Sequence, residues 1–171
     1  MKTKTEQQLR KTIQVWLILF IVFLILSGLT AFPLETELKL LVNATGNAPE
    51  FLKQWLKRVY AAIQDTNLKY PFMAYGTDWL AFAHIVIAVA FIGPLKDPIR
   101  NIWVIQFGMI ACLLIIPLAG ICGPVRGIPF YWQLIDCSFG VIGFIPLYIC
   151  YKNIVQLEKQ QTINNLKHGH Y

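Results

Sequence analysis

Apolar residues along the chain fall into four long, nearly uninterrupted runs. These runs are Ile13–Phe32, Trp79–Leu95, Ile102–Ile121 and Phe130–Tyr151. Each is close to the roughly 17–25 residues that an α-helix needs to cross the hydrocarbon core of a bilayer. Turn-forming residues mark their ends, since Pro33 follows the first run and Pro129 precedes the fourth. The pattern predicts an all-α membrane protein, a single integral membrane domain with four transmembrane helices.

The connection between the first two runs, residues 33–78, contains a different periodicity. Apolar residues recur there at spacings of three and four from Phe51 to Ile63, while Lys53, Lys57 and Arg58 occupy the opposite face. We therefore predict one amphipathic helix over about 49–64. Its apolar face would pack on the ends of the spans or lie among lipid headgroups, or it would serve as a lid or a docking surface for a partner.

Composition agrees with a membrane protein. Hydrophobic residues make up 56% of the chain and charged residues only 14%, whereas soluble domains contain roughly 25% charged residues. A disordered chain is excluded, and a soluble enzyme core is not expected. The lipid bilayer is accordingly the first partner that we predict.

Lysine and arginine are distributed unevenly about the predicted spans. If the N-terminus is cytoplasmic, the segments on that side carry nine Lys and Arg against three Asp and Glu, and the other side carries six of each. The positive-inside rule therefore predicts an N-in, C-in chain with an extracytoplasmic amphipathic helix and a polar cytoplasmic tail, 152–171. This orientation accounts for the net charge of +6 without nucleic-acid binding. The expected location is a bacterial cytoplasmic (inner) membrane.

The first run could be mistaken for a cleaved signal peptide because basic residues precede it. Its apolar length exceeds the roughly 7–15 residues of a signal-peptide core, and Leu29 would occupy a position that favours a small residue. We expect an uncleaved anchor.

Small residues predict which helix faces meet, because helices in lipid approach closely where side chains are small. The predicted packing residues are Ala81 and Ala88 in the second span, Gly108, Cys112 and Ala119 in the third, and Gly140 and Gly143 in the fourth. The first span has no such stripe. We therefore predict a compact three-helix unit over 74–151, with the first span packed more loosely outside it.

Ionisable residues inside a span are costly and therefore candidates for function. His84 and Asp136 are predicted at similar depth on the small-residue faces, and Arg126 lies in the turn above them. Asp78 is the fourth polar candidate, although a place in the first turn of its span would explain it by the helix dipole. These residues would form a proton-handling or anion-binding site, or they would satisfy one another and lock the helices.

No cofactor or metal site is predicted. His84 is the one histidine within a span, so the chain lacks the second ligand for bis-histidine haem. The cysteines show no C-x-x-C spacing. A disulfide between Cys122 and Cys137 is one possibility that the sequence leaves open. Gly93-Pro94 and Gly123-Pro124 begin two similar tetrapeptides, which suggest either an internal repeat or a shared turn.

The sequence contains no catalytic motif. We expect a non-catalytic structural, assembly or accessory subunit with a membrane-protein partner or a second copy of itself. The alternative is a proton-coupled transporter or enzyme that uses His84, Asp136 and Arg126.

Overall fold

The architecture comes from a computed structural model that describes residues 5–168. Within this range the chain is built from helices, without a β-strand. Four helical segments are long and apolar enough to cross a membrane: Glu6–Ala31, Pro71–Lys96, Ile102–Val125 and Phe130–Leu166. The prediction of an all-α protein with four helices long and apolar enough to span a membrane is confirmed.

The helices extend beyond the apolar runs that predicted them. In chain order they are α1 (Glu6–Ala31), α2 (Leu34–Ala44), α3 (Glu50–Lys69), α4 (Ala74–Ala90), α5 (Ile92–Lys96), α6 (Ile102–Val125) and α7 (Phe130–His168). A single 3₁₀ turn, Pro71–Met73, lies between α3 and α4. Polar residues can continue a helix past the hydrocarbon, so hydropathy locates the spans better than it locates the helix ends.

The last helix corrects our expectation for the C-terminal segment. Instead of a separate polar tail, α7 is 39 residues long, about 58 Å and roughly twice the hydrocarbon thickness. Ile154 and Leu157 are fully buried on this extension. The Gln161 side-chain amide also donates a 2.9 Å hydrogen bond to the Glu6 carboxylate of α1. These contacts hold the extension as a helix; residues 169–171 lie outside the described range.

The connection between the first two spans is more structured than predicted. It contains two helices, α2 and α3, and α3 continues to Lys69 rather than ending near residue 64. Lys69 pairs with Asp65 one turn earlier, at 2.8 Å, in the added turn. The helix α2 was missed because its apolar spacing spans only 11 residues.

The described residues divide into two compact units. One is Phe23–Ala88, and the other comprises the described residues before and after it. The predicted three-helix unit over 74–151 is therefore wrong, because most of α4 belongs with the α2–α3 segment. Within the first unit, a methyl group on Gly28 would lie 2.8 Å from the backbone oxygen of Ala81, so glycine permits this close helix contact.

In the other unit, α6 and α7 approach each other through glycine. A methyl group on Gly140 would lie 2.6 Å from the backbone oxygen of Cys112. A methyl group on Gly108 would lie 2.7 Å from the Phe91 ring and 2.8 Å from the Leu147 side chain. These distances are too short for a side-chain carbon, so the two helices can pack this closely only where Cβ is absent.

The N-terminal half of α1 is also buried in this unit, which corrects the expectation of a loosely packed first span. Leu9, Ile13 and Leu17 have at most 1% of their surface exposed. The thiol of Cys150, on α7, lies 3.7 Å from the backbone oxygen of Ile13. Large aliphatic side chains at spacings of four pack α1 without a small-residue stripe.

The two Gly-Pro pairs, which lie within α5 and in the last turn of α6, share one structural feature. Asn101 donates from its side-chain amide to the backbone oxygen of Gly93 at 3.2 Å. Gln133 likewise donates to the backbone oxygen of Ile128 at 2.8 Å, and its carboxamide lies against Gly123. In both places a side-chain amide from the start of the next helix binds backbone that precedes it, so a shared local contact explains the similar tetrapeptides.

Candidate binding cleft

The unit Phe23–Ala88 contains a helical hairpin, which we define as α2 and α3 with their connection, residues 34–69. A five-residue link, 45–49, joins the two helices, so they are antiparallel neighbours. The hairpin has apolar contacts of its own, since Leu38 and Leu56 are 7% and 4% exposed. The 3₁₀ turn then leads directly into α4. This path brings the start of α2, the end of α3 and the start of α4 together.

A cleft of about 270 Å³ lies among these three helix ends. Its lining comes from Phe32, Pro33, Leu34, Glu35 and Thr36, from Ala62, Ile63, Thr66 and Asn67, and from Met73, Ala74, Thr77 and Asp78. One part of the wall is apolar and the other carries hydroxyl, amide and carboxylate groups. A concave surface with a few convergent polar groups is the usual form of a small-ligand site.

The polar side of the cleft is acidic. Glu35 and Asp78 contribute two carboxylates, and the lining contains no Lys, Arg or His. The side-chain amide of Asn67 donates to one carboxylate oxygen of Glu35 at 2.8 Å, which orients that group. Asp78 is half-buried, and its carboxylate makes no hydrogen bond or ion pair with another residue of 5–168.

The structure corrects the explanation of Asp78 by the helix dipole. The helix α4 begins at Ala74 and has no acidic residue in its first turn. Asp78 lies one turn further along, where the partial charge of the helix end is weaker. Its carboxylate is therefore a lining group of the cleft rather than a helix-end group.

His84 lies nearly three turns into α4 and is half-buried. Its Nδ1 atom is 2.8 Å from the backbone oxygen of Leu80 on the same helix. A carbonyl oxygen only accepts, so this bond places a proton on Nδ1. The imidazole thus uses one nitrogen for its own helix.

Asp136 and Arg126 belong to the other unit. Arg126 is exposed and ends α6, where Gly127 at φ +66° completes the helix C-terminus. Asp136 is half-buried in the second turn of α7. No ion pair joins these two residues, and the carboxylate of Asp136 makes no hydrogen bond within residues 5–168. The expected Arg126–Asp136 lock is therefore absent from the described part of the chain.

The small residues predicted for packing differ in burial. Buried members are Ala81, Ala88, Gly108 and Gly140, and half-buried members are Cys112, Ala119 and Gly143. The four cysteines are free thiols, so Cys122 and Cys137 are not bridged.

Sequence reasoning missed Glu35 and Asn67 as site residues because it missed α2. The available signal was short: Leu34, Leu38 and Val42 recur at a spacing of four, immediately after Pro33. A scan of the chain against protein-family models, and searches of curated proteins and of solved structures, gave no match.

Proposed function

We propose that the protein is a non-catalytic accessory subunit of a bacterial cytoplasmic membrane and that the helical hairpin is its binding element. The N-in, C-in orientation would place the hairpin on the extracytoplasmic side. Four spanning helices supply the anchor, and the hairpin supplies a surface that a partner membrane protein or a second copy can contact.

The observation that supports this proposal is that the connection between the first two spans is folded. A connection that only links two spans needs a few residues, and most helix–helix connections are short. Here the chain orders two helices, buries Leu38 on one and Leu56 on the other, and hydrogen-bonds Asn67 to Glu35. Ordering these residues costs conformational entropy, so the element is best explained by a role in binding.

The hairpin also presents exposed apolar side chains. Leu40 and Leu41 are 63% and 48% exposed. Such residues on a short amphipathic element are typical of a protein or headgroup contact.

Replacing residues 34–69 by a flexible Gly/Ser linker tests the role of the hairpin. The expected result is a variant that still inserts in the membrane but no longer co-purifies, in mild detergent, with the stoichiometric partner that the parent protein retains. The control is Asp65→Asn, which removes only a surface ion pair. A parent protein that purifies without any partner or second copy would contradict the accessory role.

Asp136 favours a second candidate function, a proton-coupled activity within the membrane. A half-buried carboxylate inside a spanning helix is costly unless it is paired or has a role. Within residues 5–168 the carboxylate of Asp136 has neither a hydrogen bond nor an ion pair. Proton exchange with a bound substrate or ion would explain why a carboxylate is kept at this position.

A further inference from the structure

We propose that the cleft between the hairpin and the start of α4 binds a primary ammonium group. The cleft lies between Phe32, which follows α1, and Ala74, which begins α4. These are the ends of two membrane-spanning segments, the level at which lipid headgroups are found. The inference rests on the cleft itself and goes beyond the accessory role, because it requires no partner protein.

The charge of the lining selects a cation. Glu35 and Asp78 are its two ionisable residues. The ion pairs among residues 5–168 involve Glu6 and Asp65, so neither cleft carboxylate is neutralised by a lysine or arginine of the described chain. A ligand cation would form charge-assisted hydrogen bonds with both carboxylates in a partly enclosed space, where such bonds are stronger than in water.

The hydrogen-bonding groups select a primary ammonium in particular. Asn67 occupies one oxygen of Glu35 and leaves the other oxygen available. The carboxylate of Asp78 and the hydroxyls of Thr36 and Thr77 have no partner in the described chain, so several acceptors line the same cleft. A primary ammonium has three N–H donors, as lysine does. A quaternary ammonium has none and is bound by aromatic cages, whereas Phe32 is the only aromatic residue of the lining.

The volume and the apolar wall indicate what carries the ammonium. A cleft of about 270 Å³ has room for a small organic group. Ile63 and Met73 offer apolar contact to methylene groups beside the polar side. A short aminoalkyl group fits both features, and it could come from the headgroup of an ethanolamine lipid or from a free alkylamine.

Lipid selectivity of the purified full chain tests the proposal. The protein is placed in nanodiscs of phosphatidylglycerol that contain either phosphatidylethanolamine or phosphatidylcholine, and bound lipid is measured by native mass spectrometry. We expect retention of the ethanolamine lipid and not of the choline lipid. The double variant Glu35→Gln/Asp78→Asn should reduce this retention at least about tenfold, because two charge-assisted bonds are lost.

A matched control removes the same charge outside the cleft. Glu37→Gln/Asp65→Asn alters one carboxylate in the first turn of α2 and one on α3, and neither lines the cleft. Retention in this variant should equal that of the parent protein. An equal loss in both double variants would overturn the site, because it would show a bulk charge effect.

Free amines separate the two sources of the group. Ethylamine and tetramethylammonium are titrated in nanodiscs of phosphatidylglycerol alone, and the thermal unfolding midpoint is recorded. If ethylamine raises the unfolding midpoint of the parent protein but not that of Glu35→Gln/Asp78→Asn, the site binds free amines. Selective lipid retention without a rise of the midpoint supports a lipid-headgroup site. Equal binding of primary and quaternary groups, or binding of neither, overturns the proposal. The selectivity of the parent protein decides the matter even if the double variant fails to fold.

Discussion

Gly140 lies so close to Cys112 that the backbone of α7 contacts the backbone of α6. A methyl group at Gly140 would lie 2.6 Å from the Cys112 carbonyl oxygen, an atom that cannot rotate away. The contact therefore depends on the absence of a side chain, and it decides how near these two spans can be.

The first prediction concerns this helix contact. Gly140→Ala should destabilise the protein by about 1–3 kcal/mol, because the two backbones must separate. Gly120→Ala is the matched control: Gly120 is on α6 with nothing within 4 Å of an added methyl group, so the change should be neutral or stabilise by up to about 1 kcal/mol. Unfolding in mixed micelles measures both. Equal effects of the two substitutions would contradict close packing at Gly140.

The second prediction concerns the turn between α6 and α7. Gly123→Ala should destabilise the protein, because the added methyl group would overlap the Gln133 carboxamide. Gln133→Ala should cost about 1–3 kcal/mol, because it leaves the backbone oxygen of Ile128 without its 2.8 Å donor.

The two substitutions should also be coupled. In the Gln133→Ala background the space beside Gly123 is empty, so Gly123→Ala should cost less there than in the parent protein. A double-mutant cycle on the free energy of unfolding measures this difference. Strict additivity would show that Gln133 does not lie against Gly123.

The third prediction concerns the packing of α1 against α7. Cys150 is fully buried and its thiol lies 3.7 Å from the Ile13 backbone oxygen, whereas Cys122 is exposed. A maleimide should therefore label Cys122 quickly and Cys150 only after unfolding.

Shortening α1 side chains should change this protection selectively. Leu17→Ala removes a fully buried side chain and should speed the labelling of Cys150, while Ile18→Ala, at a residue 50% exposed, should leave it unchanged. Rapid labelling of Cys150 in the parent protein would instead favour a loosely packed first span.

The fourth prediction separates structure from function at Asp136. Asp136→Asn removes a charge that no described residue pairs with, so membrane abundance should be maintained or raised. If Asp136 carries a proton-coupled activity, the growth phenotype of a deletion strain should not be rescued by this variant. Full rescue at normal abundance would contradict that candidate function.

The fifth prediction concerns orientation. Reporter fusions at Lys96 and after Lys167 should report the cytoplasm, and a fusion near Asn47 should report the other side, because the excess of Lys and Arg lies with the first two positions. A cytoplasmic signal at Asn47 would contradict the orientation and would move the hairpin to the cytoplasmic face.

The sequence by itself determined the class of this protein and the number of its spans. An uninterrupted apolar stretch has one physical meaning in a chain of this composition, so Ile102–Ile121 could be recognised as a span without reference to any other residue. The amphipathic pattern of α3 could also be recognised from the sequence, because periodicity within one helix is a local property.

Only the tertiary structure decided which helices touch and where the cleft forms. The 11 residues of α2 carry too weak a periodic signal to predict a helix alone, and they become helical beside α3. Leu9 and Leu17 are buried in a compact unit that the N-terminal half of α1 forms with the chain from Val89 onward, and small-residue patterns do not reveal this grouping. The cleft joins Glu35, Asn67 and Asp78 across more than forty residues. Such a grouping is produced by the path of the backbone, and no local spacing encodes it.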